Sequence, residues 1–166
     1  KRKFSNKEIY LKNLPTKPTL KALYNVSEKI RFEILGSKML QGIGKNLIDN
    51  YNYKLNLKRK DQLKSRDDTS ISEAFEIYML KNFFNIKIND LNEKILSFWD
   101  DDFRNSFGKH INYLKKNLEN QELYSSKFVE ILNDLNFLEK DEEDKSEENE
   151  KENEQNNQQN AEANNE

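Results

Sequence analysis

Residues 27–47 read SEKIRFEILGSKMLQGIGKNL, and this stretch decides the expected fold. At about 100° per residue, its apolar side chains fall on one stripe, made of Phe32, Leu35, Met39, Ile43 and Leu47. The spacing predicts a single amphipathic helix with that stripe buried. Gly36 and Gly42 lie at the edges of the stripe, and a glycine inside a helix costs roughly 0.5–1 kcal/mol relative to alanine. We therefore expect another helix to pack closely against these glycines and to make the segment a rigid scaffold.

A phosphate-binding turn at Gly42-Ile43-Gly44 is the alternative interpretation of the glycines. Such a turn needs a preceding strand and either a third glycine at the right spacing or a glycine-lysine-serine/threonine ending. The sequence has none of these features around residues 42–44. Helix packing, or a kink, is therefore the favoured explanation.

The composition of the chain changes sharply near Leu138. Residues 139–166 contain 12 acidic and 3 basic side chains, a net charge of −9, and almost no apolar ones. Because the whole chain carries −2, the residues before this segment carry +7. A segment with so little apolar surface cannot offset the entropy lost on ordering, so we expect residues 139–166 to form a disordered acidic linker.

Several classes of protein are disfavoured by what the sequence lacks. There is no cysteine, which excludes disulfides and thiolate metal sites. No apolar run approaches the ~20 residues that a membrane-spanning helix needs, and the first residues lack the apolar core of a signal peptide. His110 is the only histidine, and a lone histidine on an apolar face is more typical of a core residue than of a metal ligand. We expect a cytoplasmic protein that does not bind a membrane or a metal through these residues.

Four further helices are expected after residue 70. Ser70 and Glu73 have the spacing of a capping box, and Asn89 can cap the next helix. Apolar residues then recur every three or four positions in the last two helices: Phe103, Phe107, Ile111, Leu114 and Leu118, then Tyr124, Phe128, Ile131, Leu132 and Leu135. Residues 27–138 are thus expected to form a mainly α, irregular bundle of about five helices.

Residues 1–26 are basic and contain two prolines, Pro15 and Pro18, which disfavour the interior of a helix. This composition predicts an extended lead-in before the helical domain. A second basic stretch runs from Lys54 to Arg66, but nucleic-acid binding calls for a dense basic face with interleaved aromatic residues or a recognisable module. Neither is evident, and no nucleic-acid partner is expected.

The run Asp100-Asp101-Asp102 offers three adjacent carboxylates. Consecutive residues on a helix point in different directions, so three in a row do not form a cage for a hard cation. Carboxylates are favourable at the start of a helix, where the macrodipole is positive. The run is therefore interpreted as a helix start.

Five short elements resemble, in the same order, the amino-terminal region of the CobT family. They are the segments 14–20, 31–47, 65–74, 95–99 and 120–132, in which 31–38 reads Arg-x-Glu-x-Leu-Gly-Ser-Lys and 46–47 reads Asn-Leu. In the family a longer stretch separates the first two elements, whereas here Leu20 and Ser27 are nearly adjacent. Either this member is shortened or part of the natural chain is absent from the sequence.

The resemblance implies a subunit of the ATP-dependent cobaltochelatase of aerobic cobalamin biosynthesis, a ligase. In that assembly, ATP hydrolysis on an AAA-type subunit, CobS, drives cobalt into hydrogenobyrinic acid a,c-diamide on a large subunit, CobN. The region seen here is then a non-catalytic part of a hetero-oligomer that holds no cofactor itself, although the complex uses ATP, magnesium and cobalt.

The matching motif also supplies four candidate partner-binding residues, which are expected to be exposed: Arg31, Glu33, Lys38 and Asn46. The alternative function is a stand-alone helical interaction adaptor, or a chaperone, with an acidic tail.

Overall fold

The computed structural model describes residues 4–57, 63–84 and 86–135, and in these residues it contains eight α-helices and no strand. The helices are α1 (Lys7–Lys12), α2 (Pro18–Met39), α3 (Gln41–Leu57), α4 (Ile71–Phe84), α5 (Asp90–Ser97), α6 (Asp100–Phe107), α7 (Ile111–Lys116) and α8 (Gln121–Asn133). Two short 3₁₀ turns lie at Arg66–Asp68 and Gly108–His110. The prediction of a mainly α fold is confirmed.

The described residues up to Asn133 form one compact unit, and Asp134 begins a second unit. The predicted acidic linker at 139–166 and the predicted domain boundary near 138 lie outside the described residues. Within the described ranges, no helix combines the length and the apolar character needed to cross a membrane.

The prediction that residues 1–26 are an extended lead-in is wrong for the residues that the structure describes. Asn6 caps α1, because its side-chain oxygen accepts a hydrogen bond from the backbone N–H of Glu8 at 2.8 Å. Pro18 lies in the first turn of α2, where the N–H that proline lacks would have no helical partner. The prolines therefore set the break between α1 and α2, and α2 continues through the predicted boundary at residue 27.

The prediction of one helix over residues 27–47 is also wrong, because the chain turns at Leu40. The backbone of Leu40 is extended, with φ −133° and ψ 99°, and it ends α2 one residue before α3 begins. From there α3 folds back along α2, so that the hydroxyl of Tyr51 donates a hydrogen bond to the carboxylate of Glu33. Residues 18–57 thus form a helical hairpin.

The turn removes part of the predicted apolar stripe from the core. Leu35 is buried as expected, and Phe32 and Leu47 are half-buried. Met39 and Ile43 are instead 51% and 41% exposed, and they lie on either side of the turn at Leu40. The buried face of α2 is a different one: Leu23, Tyr24, Ser27, Glu28, Ile30, Arg31, Ile34 and Leu35.

The predicted close packing of another helix against Gly36 and Gly42 is not observed either. A Cβ built on Gly36 or Gly42 would meet no atom within 4 Å, so close packing by a neighbouring helix of the described residues does not explain either one. At Gly44 a Cβ would lie 3.2 Å from the Cβ of Ser37, and it is here that α3 approaches α2 closely. Gly42 and Gly44 are in the first turn of α3 and do not follow a strand.

The core is built around Phe75 of α4, which is fully buried. Its ring centroid is 5.4 Å from that of Phe103, 5.1 Å from that of Phe107 and 5.9 Å from that of Phe128. These separations are within the range in which aromatic pairs attract. The cluster holds α4, α6 and α8 together, while α2 packs against both α3 and α4.

The predicted helix starts in the second half of the chain are confirmed. The side chain of Asn89 accepts a hydrogen bond from the backbone N–H of Asn92 at 2.9 Å and caps α5, and α4 begins after Ser70. The expected long helix from Phe103 to Leu118 is divided into α6 and α7 by the 3₁₀ turn at Gly108–His110. Such divisions, together with α1, are why eight helices replace the predicted five.

Candidate functional site

Arg31 is one of the four candidate partner-binding residues, and the structure places it inside the protein, where it is 1% exposed. Its guanidinium donates to the carboxylate of Glu28 at 3.2 and 3.3 Å, and to the backbone carbonyl of Leu118 at 2.9 Å. It also donates to the backbone carbonyl of Phe4. The expectation that Arg31 is exposed is therefore wrong, since all of these acceptors lie within the fold.

Glu28 completes this buried network. It is 3% exposed, and its carboxylate accepts hydrogen bonds from Gln121 Nε2 and from Ser125 Oγ, each at 2.9 Å. A buried charge is tolerated when a counter-charge and hydrogen bonds together replace its hydration. The network therefore joins the middle of α2 to the start of α8, and its polar groups serve the fold.

Sequence reasoning missed the acidic partner of Arg31. Glu28 precedes Arg31 by three residues, which places the two on neighbouring positions of one helix face. Such a pair is usually exposed to solvent. Only the burial of the apolar residues around it on α2 would have indicated that this pair is inside the protein. Gln121 was part of the segment 120–132 that carries the resemblance, but no local pattern connects it to Glu28.

Glu33, the second candidate, is half-buried and accepts the hydrogen bond from Tyr51. Burial is the main reason that the pKa of the Tyr51 hydroxyl is raised, and the hydrogen bond to Glu33 raises it further. The hydrogen bond between Tyr51 and Glu33 links the two arms of the hairpin. Beside it, the ammonium group of Lys29 on α2 lies 5.1 Å from the centre of the Tyr51 ring and pairs with the carboxylate of Glu76 on α4 at 2.9 Å.

Lys38 and Asn46, the remaining candidates, are exposed as expected. Both lie close to the turn between α2 and α3, near a group of residues that we call the hairpin tip: Gly36, Met39, Leu40, Gly42 and Ile43. The three apolar side chains of the tip are 51%, 57% and 41% exposed in chain order. Lys38 and Asn46 therefore both lie near this turn, whereas Arg31 is buried further along α2.

A cleft of about 960 Å³ lies beside the hairpin, between α1 and α2. Its apolar lining includes Tyr10, Leu11 and Phe32, and Glu33 contributes to one wall. The hydroxyl of Tyr10 donates a hydrogen bond to the side chain of Asn25 across it. The cleft is partly apolar and open, and two charged side chains of its lining, Glu28 and Lys29, pair with residues outside it.

The acidic run in α6 begins the helix, as the sequence predicts. Asp100 pairs with Arg104 of the same helix, and Asp102 accepts a hydrogen bond from Arg66 Nη1 at 2.9 Å. These carboxylates are paired with arginine rather than directed at a common point. In the part of the chain that the structure describes, no three His, Cys, Asp or Glu side chains lie together in a way that could hold a metal ion.

Together, the described residues define an all-α protein with a buried ion-pair network between α2 and α8 and an exposed, apolar turn between α2 and α3. Of the four polar residues singled out by the sequence motif, Arg31 belongs to the network and Glu33 accepts a hydrogen bond from Tyr51. Lys38 and Asn46 are exposed near the turn. Comparison with protein families gives a more particular result: the chain belongs to the CobT family, whose model, described as cobalamin biosynthesis protein CobT, matches residues 1–166. Comparison with curated proteins and with solved structures gave no match.

Membership of this family assigns the chain to cobalamin biosynthesis as a subunit of cobaltochelatase. The resemblance to the CobT family that the sequence shows is thereby confirmed.

Proposed function

We propose that residues 1–138 are a non-catalytic, protein-binding module of the cobaltochelatase subunit, and that residues 139–166 are a linker. The family match over the whole chain is the observation that carries this proposal. The module would contact the AAA-type ATPase subunit, CobS, and the large chelatase subunit, CobN. ATP and magnesium would be bound by the ATPase subunit, and cobalt would be the substrate inserted on the large subunit.

The side chains of the described residues support a structural rather than a chemical role. Arg31 and Glu28, the most deeply buried charged pair, use their hydrogen bonds within the fold. The carboxylates of Asp100 and Asp102 are paired with arginines. What the surface offers instead is the hairpin tip, with its exposed apolar side chains beside Lys38. Protein contact is the function that such a surface fits best.

Affinity capture tests the proposal directly. The chain is immobilised and exposed separately to the purified ATPase subunit and to the purified large subunit, each with ATP and magnesium, and an unrelated AAA-type ATPase serves as the control. We expect at least one chelatase subunit, and not the control protein, to be retained. Retention of neither subunit would show that the module has another role.

Reconstitution tests the non-catalytic part of the proposal. We expect the chain by itself to neither hydrolyse ATP nor insert cobalt, and to be required when the other two subunits do so together. Cobalt insertion by the chain alone would contradict the assignment.

Cell fractionation with an antibody to the chain tests the cytoplasmic location that the sequence predicts.

A further inference from the structure

Asn92, in the first turn of α5, holds a buried polar atom that its surroundings leave unpaired. The residue is 1% exposed, and its side-chain nitrogen donates hydrogen bonds to the backbone carbonyl of Leu55 at 3.3 Å and to Asn89 Oδ1 at 2.6 Å. Its side-chain oxygen accepts no hydrogen bond from any residue within 4–57, 63–84 and 86–135. A buried acceptor without a donor costs free energy, so this oxygen favours a ligand that supplies an N–H or O–H.

The direction of the Asn92 amide is fixed by its neighbours. Asn89 Oδ1 also accepts a hydrogen bond from the backbone N–H of Asn92 at 2.9 Å, which identifies that Asn89 atom as the oxygen. If the oxygen and nitrogen of the Asn92 side chain were exchanged, an acceptor would face two other acceptors, Asn89 Oδ1 and the carbonyl of Leu55. The unpaired oxygen therefore stays where it is.

Asn92 lines a cleft of about 370 Å³ between the end of α3 and the start of α5. Leu55 and Ile88 are apolar residues of its lining, and Asn52 and Lys87 are polar ones. The oxygen of Asn92 is covered, whereas Lys87 is exposed. A donor therefore reaches the oxygen after a side chain of the cleft wall rotates, and long surface side chains such as that of Lys87 change rotamer rapidly.

The charged groups near the cleft do not favour an ionic ligand. A cation would meet the ammonium group of Lys87, which is part of the lining. A carboxylate ligand has no hydrogen to donate to Asn92, and the exposed carboxylates of Asp90 and Glu93 lie in the same turn of α5. Hydrogen bonding rather than net charge is thus expected to select the ligand.

A primary carboxamide meets both demands of the cleft. Its NH₂ group donates, as the oxygen of Asn92 requires, and its carbonyl accepts, as the ammonium group of Lys87 requires. A hydroxyl group has its donor and its acceptor on one atom, whereas the amide carries them on two. Leu55 and Ile88 suit a short aliphatic chain behind the amide, since small-ligand sites combine apolar walls with a few polar groups.

We propose that this cleft binds the primary carboxamide at the end of a short aliphatic chain, with its NH₂ group donating to Asn92 Oδ1 and its carbonyl accepting from Lys87. A glutamine side chain of another protein and a small-molecule amide both present this group. The site goes beyond the proposed function. Its binding is measured on the chain alone, so the failure of one does not decide the other.

NMR titration of the isotopically labelled full chain tests the site, with propionamide as the probe. We expect the side-chain amide signal of Asn92 to shift, with a dissociation constant in the millimolar range that suits so small a ligand. Butanone has the same shape without the N–H, propionate replaces the NH₂ group by a charged oxygen, and propylammonium has N–H donors without a carbonyl. Each should bind at least about 10-fold more weakly, because a buried hydrogen-bonding group is then left unpaired.

Two outcomes of this titration would overturn the proposal. Equal binding of propionamide and any of the three analogues would show that the cleft does not recognise a carboxamide. No shift with propionamide would show that the oxygen of Asn92 is satisfied by solvent alone.

Variants at the two contacts make the test specific. Lys87→Met is expected to weaken propionamide binding about 3-fold or more, whereas Lys109→Met, a matched change at an exposed lysine outside the cleft lining, should leave it unchanged. Unaltered binding by Lys87→Met would contradict the proposed contact. Asn92→Leu is expected to abolish binding and also identifies the Asn92 signal by its loss. If the emission of buried Trp99 shows that Asn92→Leu is not folded, Lys87→Met and the butanone comparison decide the question.

Two blocked peptides distinguish the sources of the carboxamide, one with the sequence Gly-Gln-Gly and the other Gly-Glu-Gly. Binding of the glutamine peptide in preference to the glutamate peptide would support a protein ligand. Binding of propionamide and of neither peptide would support a small-molecule amide. Tighter binding of the glutamate peptide would overturn the assignment to a carboxamide.

Discussion

Replacement of Arg31 by methionine is the change whose effect the structure specifies most fully. Methionine has a similar length and keeps the apolar part of the packing, but it removes the charge that faces Glu28. The carboxylate of Glu28 is 3% exposed and would keep only the neutral donors of Gln121 and Ser125. The backbone carbonyl of Leu118 would lose a donor at the same time.

The magnitude follows from the burial of this pair. Removal of one partner of a buried ion pair costs about 3–5 kcal/mol, because the other charge is left unpaired. A domain of this size has a free energy of unfolding of about 5–15 kcal/mol, so Arg31→Met should remove a large fraction of it. The double variant Glu28→Gln with Arg31→Met leaves no unpaired charge. We expect it to be at least about 2 kcal/mol more stable than Arg31→Met alone.

Urea unfolding, followed by the fluorescence of Trp99, measures these differences. Trp99 is the only tryptophan, is 6% exposed and donates a hydrogen bond to Thr69 at 3.0 Å, so its emission will change when the core opens. Arg104→Met is the control, since the side chain of Arg104 is 68% exposed and its pairing with Asp100 contributes about 0–1 kcal/mol. The reasoning is refuted if Arg31→Met costs less than about 1 kcal/mol, or if the double variant is no more stable than the single one.

Three further predictions concern the core, a cap and the response to alkali. Phe75→Ala should lower the free energy of unfolding by about 3–5 kcal/mol in urea titrations, because Phe75 is fully buried among three other phenylalanine rings; a loss below about 1 kcal/mol would contradict that packing. Asn89→Ala should cost about 1 kcal/mol, because α5 loses its cap, while Asn89→Asp, which retains an acceptor, should cost less. Burial raises the pKa of Tyr24 and of Tyr78 to about 12, above the value near 10 of an unfolded tyrosine. The stabilisation from these two residues is therefore complete below pH 10 and is lost as the pH rises towards 12, which thermal unfolding against pH would show; if Tyr24→Phe or Tyr78→Phe removed part of the phenolate absorbance that the folded chain gains near pH 10, the prediction would be contradicted.

The all-α class and most helix positions after residue 70 could be predicted from local sequence. Ala74, Phe75 and Met79 recur at helical spacing and are buried, and Asn89 caps the helix that it precedes. These features depend on interactions between residues a few positions apart, which periodicity and capping preferences describe well. The kinship with the CobT family was likewise visible in short ordered motifs and is confirmed.

The hairpin could not be predicted in the same way. The periodicity of residues 27–47 is continuous through Leu40, and although Gly36 and Gly42 were consistent with a kink, they do not specify two antiparallel helices. The choice depends on contacts between residues far apart in sequence, such as Tyr51 with Glu33 and Gly44 with Ser37. The same turn decides that Met39 is exposed rather than buried.

The exposure of the candidate site residues was predicted only in part, because exposure also depends on contacts between distant segments. A motif identifies which polar residues matter together, but not which of them face solvent. Arg31 and Lys38 are seven residues apart on α2 and were expected to be alike. The packing of α8 against α2 buries Arg31 with Glu28, while Lys38 extends beyond that contact and stays exposed.

By itself, then, the sequence determined the helical class, the main helix starts and the family, because these depend on local spacing and on ordered motifs. Only the tertiary structure decided where α2 ends, that the charge of Arg31 is internal and that the glycines at the hairpin tip face open space. Burial and close approach are properties of distant segments brought together, and no window of adjacent residues contains them.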